Sequence, residues 1–467
     1  MQFFQLSPTH IVSMFGTIAF IIIIGISSVR KVHTNDDFQT GGKNYGTFMV
    51  TGVIVGSLIG GSCTLGAAEM AFDFGISGWW YAIGCSAGCL IIALLYVKPF
   101  RANGKLTLQE LIYDEFGHTA GILTSLIAPA GFLAGIVSQV AAAGALLTTL
   151  MDISMVQAVV VSIVIMISYA AFGGMKISGF LGVVKVILLY ITVIGGGALA
   201  LYLAGGLAAL NRSLDPEVFN NFFVRGVTKE LSSVISVSLG MLSTQTYIQA
   251  IVSAKRSKNA VNACLLSALT VLPVGLFSSW IGMYMRTEYP FITAAQSFPL
   301  FIVNKMPPFV GGICLAGLLI VIISAGASMA LGLSSVFSVD IYRKYINKCA
   351  SDKRTLAVNR ITVLAVMLIS FVMTAASPNT LILEWGYLSF SLRLVGIVLP
   401  GLACLFLPGK LHPVFVTVSG PLGLAVMLLI KILHLSWDPT AMGFCTALLV
   451  CAAGYYMQLA KNRIKKM

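Results

Sequence analysis

Charged residues are scarce in this chain: they make up 10% of its 467 residues, whereas hydrophobic residues make up 58%. Soluble domains carry about 25% charged and about 45–50% apolar residues, so the composition excludes a soluble protein. No long polar stretch is present, which excludes a large soluble domain. The apolar runs do not alternate with a period of two, which argues against a membrane β-barrel. The sequence therefore predicts an all-α integral membrane protein.

Acidic residues are fewer than basic ones, 16 against 29, which gives a net charge of +13. In a membrane protein the positive-inside bias explains such an excess, so we expect no nucleic-acid partner. The nine cysteines form no CxxC pair and no zinc-type cluster with the five histidines, so we expect no cofactor. No Ser/His/Asp constellation or phosphate-binding loop is evident either, and we expect a protein that is not an enzyme.

Apolar runs separated by polar breaks predict about thirteen transmembrane helices in a multi-pass protein of the cell membrane. If the N-terminus is outside, most of the 29 lysines and arginines fall at the cytoplasmic ends of the spans. We therefore predict an N-out, C-in orientation. We treat residues 1–467 as one membrane domain. The predicted spans 1 to 13 lie at about 10–29, 46–75, 78–98, 119–150, 155–173, 178–206, 231–253, 259–286, 309–342, 355–376, 380–406, 411–433 and 439–460.

Two of these spans are predicted to be interrupted. Span 2 contains a cluster of glycines from Gly52 to Gly66, and span 7 has a polar cluster from Ser238 to Tyr247 in its middle. Interrupted helices in corresponding places of two halves indicate an inverted-repeat transporter. The alternative is that the glycines only allow helices to pack closely.

Several collinear motifs resemble those of the sodium/solute symporter family. They are Gly41–Gly46 with Leu65–Ala67 and Ala71–Gly78 in and before span 2, Gly173–Lys176 before span 6, Gln249–Lys255 at the end of span 7, and Ser334–Ser335 with Asp340–Tyr342 at the end of span 9. The resemblance extends over about residues 10–460, and the family's thirteen-helix, N-out arrangement agrees with the spans predicted above.

The resemblance implies a LeuT-type fold with a five-plus-five inverted repeat. Repeat 1 would be residues 46–206 (spans 2–6) and repeat 2 residues 231–406 (spans 7–11), with 10–29 and 411–460 as peripheral helices. It also implies secondary active transport of a small organic solute by alternating access. The expected partners are that solute and membrane lipid, with no obligate protein partner. A solute sensor is the alternative, but the given chain contains no signalling module after span 13.

The family's sodium site, carried over by alignment, would use carbonyls of Gly56 and Ile59 in span 2. In span 9 it would use Val321, Ser324 and Ala325. The family usually has a second hydroxyl where this chain has Ala325, and an Asp where it has Gly182. Sodium prefers oxygen ligands and negative charge, so the sequence predicts a weakened site. Conventional sodium symport, with Ser324, Ser328 and carbonyls as ligands, remains the alternative.

Two cations lie inside predicted spans at positions where a charge is costly. Lys185 in span 6 stands where the family typically has a Gln. Its ammonium is predicted to occupy the place of sodium, and loss of its proton near neutral pH would allow proton coupling in place of sodium coupling. The possible coupling ions are therefore sodium and a proton. The alternative role of Lys185 is to reach the inner membrane interface. Arg393, near the centre of span 11, is predicted to bind a substrate carboxylate. Its alternative is a salt bridge to Glu69 or Glu384.

The remaining candidates for substrate binding are polar or small residues beside the two predicted interruptions. Their side chains can form hydrogen bonds to a solute held near the middle of the membrane. They are Ser62, Cys63 and Thr64 of span 2 and Thr244, Gln245 and Tyr247 of span 7.

Overall fold

A computed structural model describes residues 6–29, 44–105, 107–151, 153–172, 175–377 and 380–464, and within these ranges the chain is mainly helical. The α-helices are α1 Pro8–Val29, α2 Thr47–Leu58, α3 Ala67–Phe74, α4 Trp80–Ile91, α5 Val97–Ala102, α6 Leu108–Phe116, α7 His118–Met151, α8 Met155–Phe172, α9 Met175–Leu203, α10 Leu207–Ser213, α11 Pro216–Phe219, α12 Val227–Gly240, α13 Gln245–Ser253, α14 Ser257–Glu288, α15 Ser297–Lys305, α16 Pro308–Ser335, α17 Asp352–Ala376, α18 Ile382–Arg393, α19 Leu399–Phe406, α20 Pro413–Ile432 and α21 Pro439–Ile464.

Shorter helical turns join several of these helices. π-Helical turns lie at Ser62–Gly66, Ile92–Tyr96, Val336–Ile346 and Leu394–Val398, and 3₁₀ turns lie at Gly75–Trp79, Met241–Ser243 and Ala294–Gln296. Helices occur at each of the thirteen predicted spans, with ends that differ by a few residues. In the described part of the chain, nine helical stretches are long and apolar enough to cross a membrane, and three shorter apolar helices accompany them. The number of spans and their orientation stay predictions.

The first broken helix consists of α2, the π-helical turn Ser62–Gly66 and α3. Helix α2 ends at Leu58, and Ile59 takes an extended conformation with φ −85° and ψ 101°. A Cβ on Gly60 would lie 2.8 Å from the Cβ of Ala325, and one on Gly61 would overlap the methyl group of Ala142. Glycine is therefore required where this break meets α16 and α7. The predicted interruption of span 2 is confirmed.

The second broken helix consists of α12, the 3₁₀ turn Met241–Ser243 and α13. Thr244 interrupts it in an extended conformation, with φ −79° and ψ 112°. A Cβ on Gly240 would lie 2.6 Å from the carbonyl oxygen of Phe390, so this side of the break packs directly on the backbone of α18. The predicted interruption of span 7 is confirmed.

The two broken helices are joined at one end through their backbones. Tyr45, just before α2, forms an isolated parallel bridge with Ala254, just after α13. The Tyr45 amide donates to the Ser253 carbonyl at 3.0 Å, and the Lys255 amide donates to the Tyr45 carbonyl at 2.9 Å. Since the start of one broken helix meets the end of the other, the two run in opposite directions. Helix α7 packs along α16 and α18.

Candidate functional site

The predicted substrate residues all lie in the interior of the helical bundle. Their exposed fractions run from 0 to 3%. These side chains are therefore shielded from the surroundings of the protein in this conformation. The residues are Ser62, Cys63, Thr64, Thr244, Gln245, Tyr247 and Arg393.

Arg393 is the charged group at the centre of this region, and its side chain is 1% exposed. Its Nη1 donates to the hydroxyl of Thr244 at 2.7 Å. Its Nε donates to the Ser389 carbonyl and its Nη2 to the Ser389 hydroxyl, both at 3.0 Å. The guanidinium also lies 4.9 Å and 4.5 Å from the ring centroids of Phe132 and Phe390. All of these partners are neutral.

The alternative in which Arg393 pairs with Glu69 or Glu384 is wrong. The carboxylate of Glu69 instead accepts the backbone N–H of Ile382 at 2.7 Å. Glu384 lies 3.8 Å from the ammonium of Lys229, nearer the surface. In the described ranges, Arg393 therefore has no carboxylate partner, and its positive charge is compensated only by dipoles and aromatic faces.

Helix α7 shapes the space around this arginine, which sequence reasoning did not find. The hydroxyl of Ser389 donates to the Gly131 carbonyl at 2.6 Å. A Cβ on Gly131 would overlap the Cγ of Arg393, so only glycine leaves room for the arginine stem. Gly131 resembles any packing glycine in the sequence, and no pattern distinguishes it.

Helix α7 also holds the first break through two polar side chains that sequence reasoning missed. The Gly61 amide donates to Gln139 Oε1 at 2.7 Å, and Gln139 Nε2 donates to the Ser62 hydroxyl at 3.2 Å. The hydroxyls of Ser62 and Ser138 lie 2.8 Å apart. The signal was present in the sequence, because Ser138 and Gln139 form a polar pair inside the apolar span 4.

The residues of the predicted sodium site lie where the first broken helix meets α16. A Cβ on Gly60 would lie 2.8 Å from that of Ala325, which puts a methyl group against the break. Ser324 donates its hydroxyl to the Val321 carbonyl at 2.9 Å, within its own helix. The other candidates are the half-buried Gly56 and Ser328 and the buried Ile59.

Lys185 is buried, with 4% exposure, although it carries a charge. Its ammonium donates to the hydroxyl of Tyr169 at 2.9 Å and lies 5.0 Å from the centroid of that ring. The alternative in which it reaches the membrane interface disagrees with this burial. The surroundings of Gly182 lie outside what the structure describes, as do residues 41–43, 173 and 174 of the motifs.

The arrangement of two opposed broken helices around a buried, polar centre can be compared with known proteins. The family model of the sodium:solute symporter family matches residues 38–395. The chain belongs to this family. It is a multi-pass protein of the cell membrane that acts in secondary active symport.

Curated relatives of this symporter include transporters of choline and of proline. The high-affinity choline transporter 1 of Drosophila melanogaster is 23% identical over 81% of this chain and 63% of its own length. The high-affinity proline transporter PutP of Bacillus subtilis is 24% identical over 78% of this chain and 80% of its own length. The sodium/proline symporter of Escherichia coli is 23% identical over 82% and 79%.

Solved structures confirm the fold. A Na+-coupled sialic acid symporter in its substrate-bound outward-open state superposes with a TM-score of 0.80, at 17% identity, over 98% of both chains. Mhp1, of the nucleobase-cation-symport-1 family, has a TM-score of 0.59 at 14% identity, over 92% of this chain and 95% of its own. The symporter therefore has the predicted LeuT-type fold.

Proposed function

We propose that this symporter carries a small organic solute with a carboxylate group, and that Arg393 binds this carboxylate. The observation that supports the proposal is a buried arginine whose described partners are all neutral. An uncompensated charge inside a membrane protein is costly, so it is retained where it serves a ligand or an ion pathway. The planar guanidinium matches a carboxylate through two parallel hydrogen bonds.

The named solutes of the relatives differ in this chemical respect. Proline has a carboxylate, whereas choline is a cation without one. A buried cation would repel choline and attract proline, so Arg393 favours an amino acid or another carboxylate as the solute of this chain. Thr244, Gln245 and Tyr247 of the second broken helix, with Ser62, Cys63 and Thr64 of the first, would bind the rest of the solute.

The breaks provide what alternating access needs. Extended backbone at Ile59 and Thr244 leaves peptide groups that lipid could not satisfy, so they line the protein interior. In this proposal the solute bridges Arg393 and the two breaks, and the halves of the broken helices move when it binds or leaves.

Two assays test the carboxylate. Purified protein in detergent is heated with L-proline, other amino acids, simple carboxylates, choline and neutral sugars, because a ligand that binds the folded state raises its melting temperature. We expect the stabilising ligands to carry a carboxylate. Arg393→Lys should weaken their binding by about 10-fold or more, because a compact ammonium cannot form the two parallel hydrogen bonds of the planar guanidinium. Arg360→Lys, at an exposed position of α17, is the matched control. A neutral sugar as the only stabilising ligand would refute the proposal.

We also propose that transport is independent of sodium and linked to protons, with Lys185 in place of the coupling ion. Three observations support this: the methyl group of Ala325 at the break, the Ser324 hydroxyl engaged within its own helix, and the burial of Lys185 on α9, which packs on α2. A unit positive charge about 4 Å from a cation would raise its energy by about 4 kcal/mol at an effective dielectric constant of about 20. Family membership favours the second candidate, conventional sodium symport.

Uptake into proteoliposomes separates the two candidates. Sodium is replaced by N-methylglucamine, since choline could itself be a ligand, and uptake of the solute found above is measured from mildly acidic to mildly alkaline pH. We expect uptake to persist without sodium and to increase with an inward proton gradient. Uptake that requires sodium at every pH would instead establish sodium symport, with Ser324, Ser328 and carbonyls as ligands.

A further inference from the structure

A second ionisable group of the interior has no role in the site described so far. Glu69 of α3 is 6% exposed, and its carboxylate accepts the backbone N–H of Ile382 at 2.7 Å. Ile382 is the first residue of α18, the helix that carries Arg393. The partial positive charge of a helix start stabilises a carboxylate there.

The other charged groups around α3 have partners of their own. Asp73, one turn along the same helix, interacts with Arg286 of α14. Glu384 of α18 lies 3.8 Å from Lys229, and Lys305 of α15 lies 2.7 Å from Glu288.

Within the described residues, Glu69 thus has no cation to pair with. The ionisable groups whose charges act on it, Asp73 and Glu384, are acidic as well. A buried carboxylate that two acidic groups repel is costly as an anion and becomes much less so when it takes up a proton.

Hydrogen bonds connect this carboxylate to the first break. The Ser138 hydroxyl donates to the carbonyl of Ile382 at 2.7 Å. Ile382 is therefore hydrogen-bonded to Glu69 through its N–H and to Ser138 through its C=O. Ser138 in turn contacts the hydroxyl of Ser62 in the π-helical turn, at 2.8 Å. The start of α18 is therefore fixed to α3 by Glu69 and, through Ser138 of α7, to the π-helical turn of the first broken helix.

We propose that Glu69 is a proton-binding site whose charge state controls how α18 is held on the first broken helix. As a carboxylate, Glu69 holds the start of α18 by a charge-assisted hydrogen bond. A proton from water converts it to the neutral acid, weakens this bond and releases the start of α18. The proton returns to water when α18 is held again. The proposal extends the proton linkage proposed above, but it concerns a different residue from Lys185.

The variant that tests it is Glu69→Gln. Its amide oxygen still accepts the Ile382 N–H, and it has the shape of the neutral acid but cannot titrate. Asp73→Asn is the matched control. It also removes a carboxylate of α3, but Asp73, unlike Glu69, interacts with a cation, Arg286. Size-exclusion chromatography and thermal unfolding check that both variants fold.

The first measurement uses Cys63 as a reporter. This thiol of the π-helical turn is free and 0% exposed, so it reacts only when the region opens. Alkylation by N-ethylmaleimide is followed on the Cys63 peptide by mass spectrometry across pH. The reactivity of the thiol itself changes with pH in both proteins, so we divide the labelling rate of the wild type by that of Glu69→Gln. This ratio reports only the difference in opening between the two proteins.

We expect this ratio to approach one at low pH and to fall severalfold as the pH rises and the wild-type carboxylate holds α18. The Asp73→Asn variant should follow the wild type. A ratio that does not change with pH, or an equal effect of Asp73→Asn, would overturn the proposal.

Infrared difference spectroscopy provides the second measurement. The wild type and Asp73→Asn should show the carbonyl stretch of a protonated carboxylic acid that disappears as the pH rises, and Glu69→Gln should lack it. Identical spectra of all three proteins would contradict the assignment. Neither measurement needs a solute or sodium, so a failure here is distinguishable from a failure of the proposed transport reaction.

Discussion

Two buried arginines each lie against an aromatic ring of α18, Arg225 at 5.6 Å from the ring centroid of Tyr387 and Arg393 at 4.5 Å from that of Phe390, but their polar partners differ in charge. Arg225, in the loop between α11 and α12, forms two hydrogen bonds with Glu230, from Nε at 2.9 Å and from Nη2 at 2.6 Å. Both side chains are buried, with 5% and 0% exposure. Arg393 has hydroxyl, carbonyl and aromatic partners but no carboxylate among the described residues.

The difference separates a structural ion pair from the arginine that we propose as a binding group. Burial alone would lower the pKa of Arg225, but its hydrogen bonds to Glu230 outweigh this effect and the pKa is raised. Because the charge of Arg225 is already matched by a carboxylate, this arginine gains little from a second anion. Arg393 has no carboxylate partner among the described residues, and in the proposed function a carboxylate solute would supply one.

The largest effect is expected when the matched pair is broken. Glu230→Gln leaves Arg225 buried without its counter-charge, which should reduce the free energy of unfolding by about 3–5 kcal/mol. Thermal unfolding in detergent, followed by tryptophan fluorescence, measures the loss.

Glu384→Gln is the control for this variant. Glu384 and Lys229 are 43% and 50% exposed, so the loss of their pair should change the free energy of unfolding by less than about 1 kcal/mol. If Glu230→Gln were no more destabilising than Glu384→Gln, the view of Arg225–Glu230 as a structural pair would fail.

A smaller effect is expected when Arg393 loses a neutral partner. Thr244→Ala removes the hydroxyl that orients Nη1, and we expect binding of the carboxylate ligand to weaken by about 1.5–3 kcal/mol while stability changes little. Equilibrium binding with the ligand found by thermal shift measures this. Thr244→Ser keeps the hydroxyl and should restore most of the affinity; equal affinities of the wild type and Thr244→Ala would place the solute elsewhere.

The main features of the fold could be predicted from the sequence, because they depend on local composition. Glycines between Gly52 and Gly66 and the polar cluster around Thr244 predicted both breaks, and the apolar runs predicted where the helices lie, with ends that differ by a few residues. Such patterns act within a few turns of one helix, so one sequence is enough to read them.

The site could be predicted only in part, because its contacts join distant helices. The depth of Arg393 in its span indicated a buried cation, but its partners depend on how α7, α13 and α18 pack. Glu69 lies at a plausible height to pair with Arg393, yet it faces the start of α18. Gln139 stands out in the sequence as a polar residue inside an apolar span, whereas Gly131 resembles any packing glycine.

The backbone bridge between Tyr45 and Ala254 has a consequence for how the two broken helices can move. It ties α2 to α13, which also pack on each other, so we expect these two half-helices to move as one unit about Ile59 and Thr244. The candidate ion residues lie at the first of these breaks and the candidate solute residues at both, so a movement of this unit would change both regions together. Lys255→Pro, which removes one N–H of the bridge, should let the two half-helices move separately.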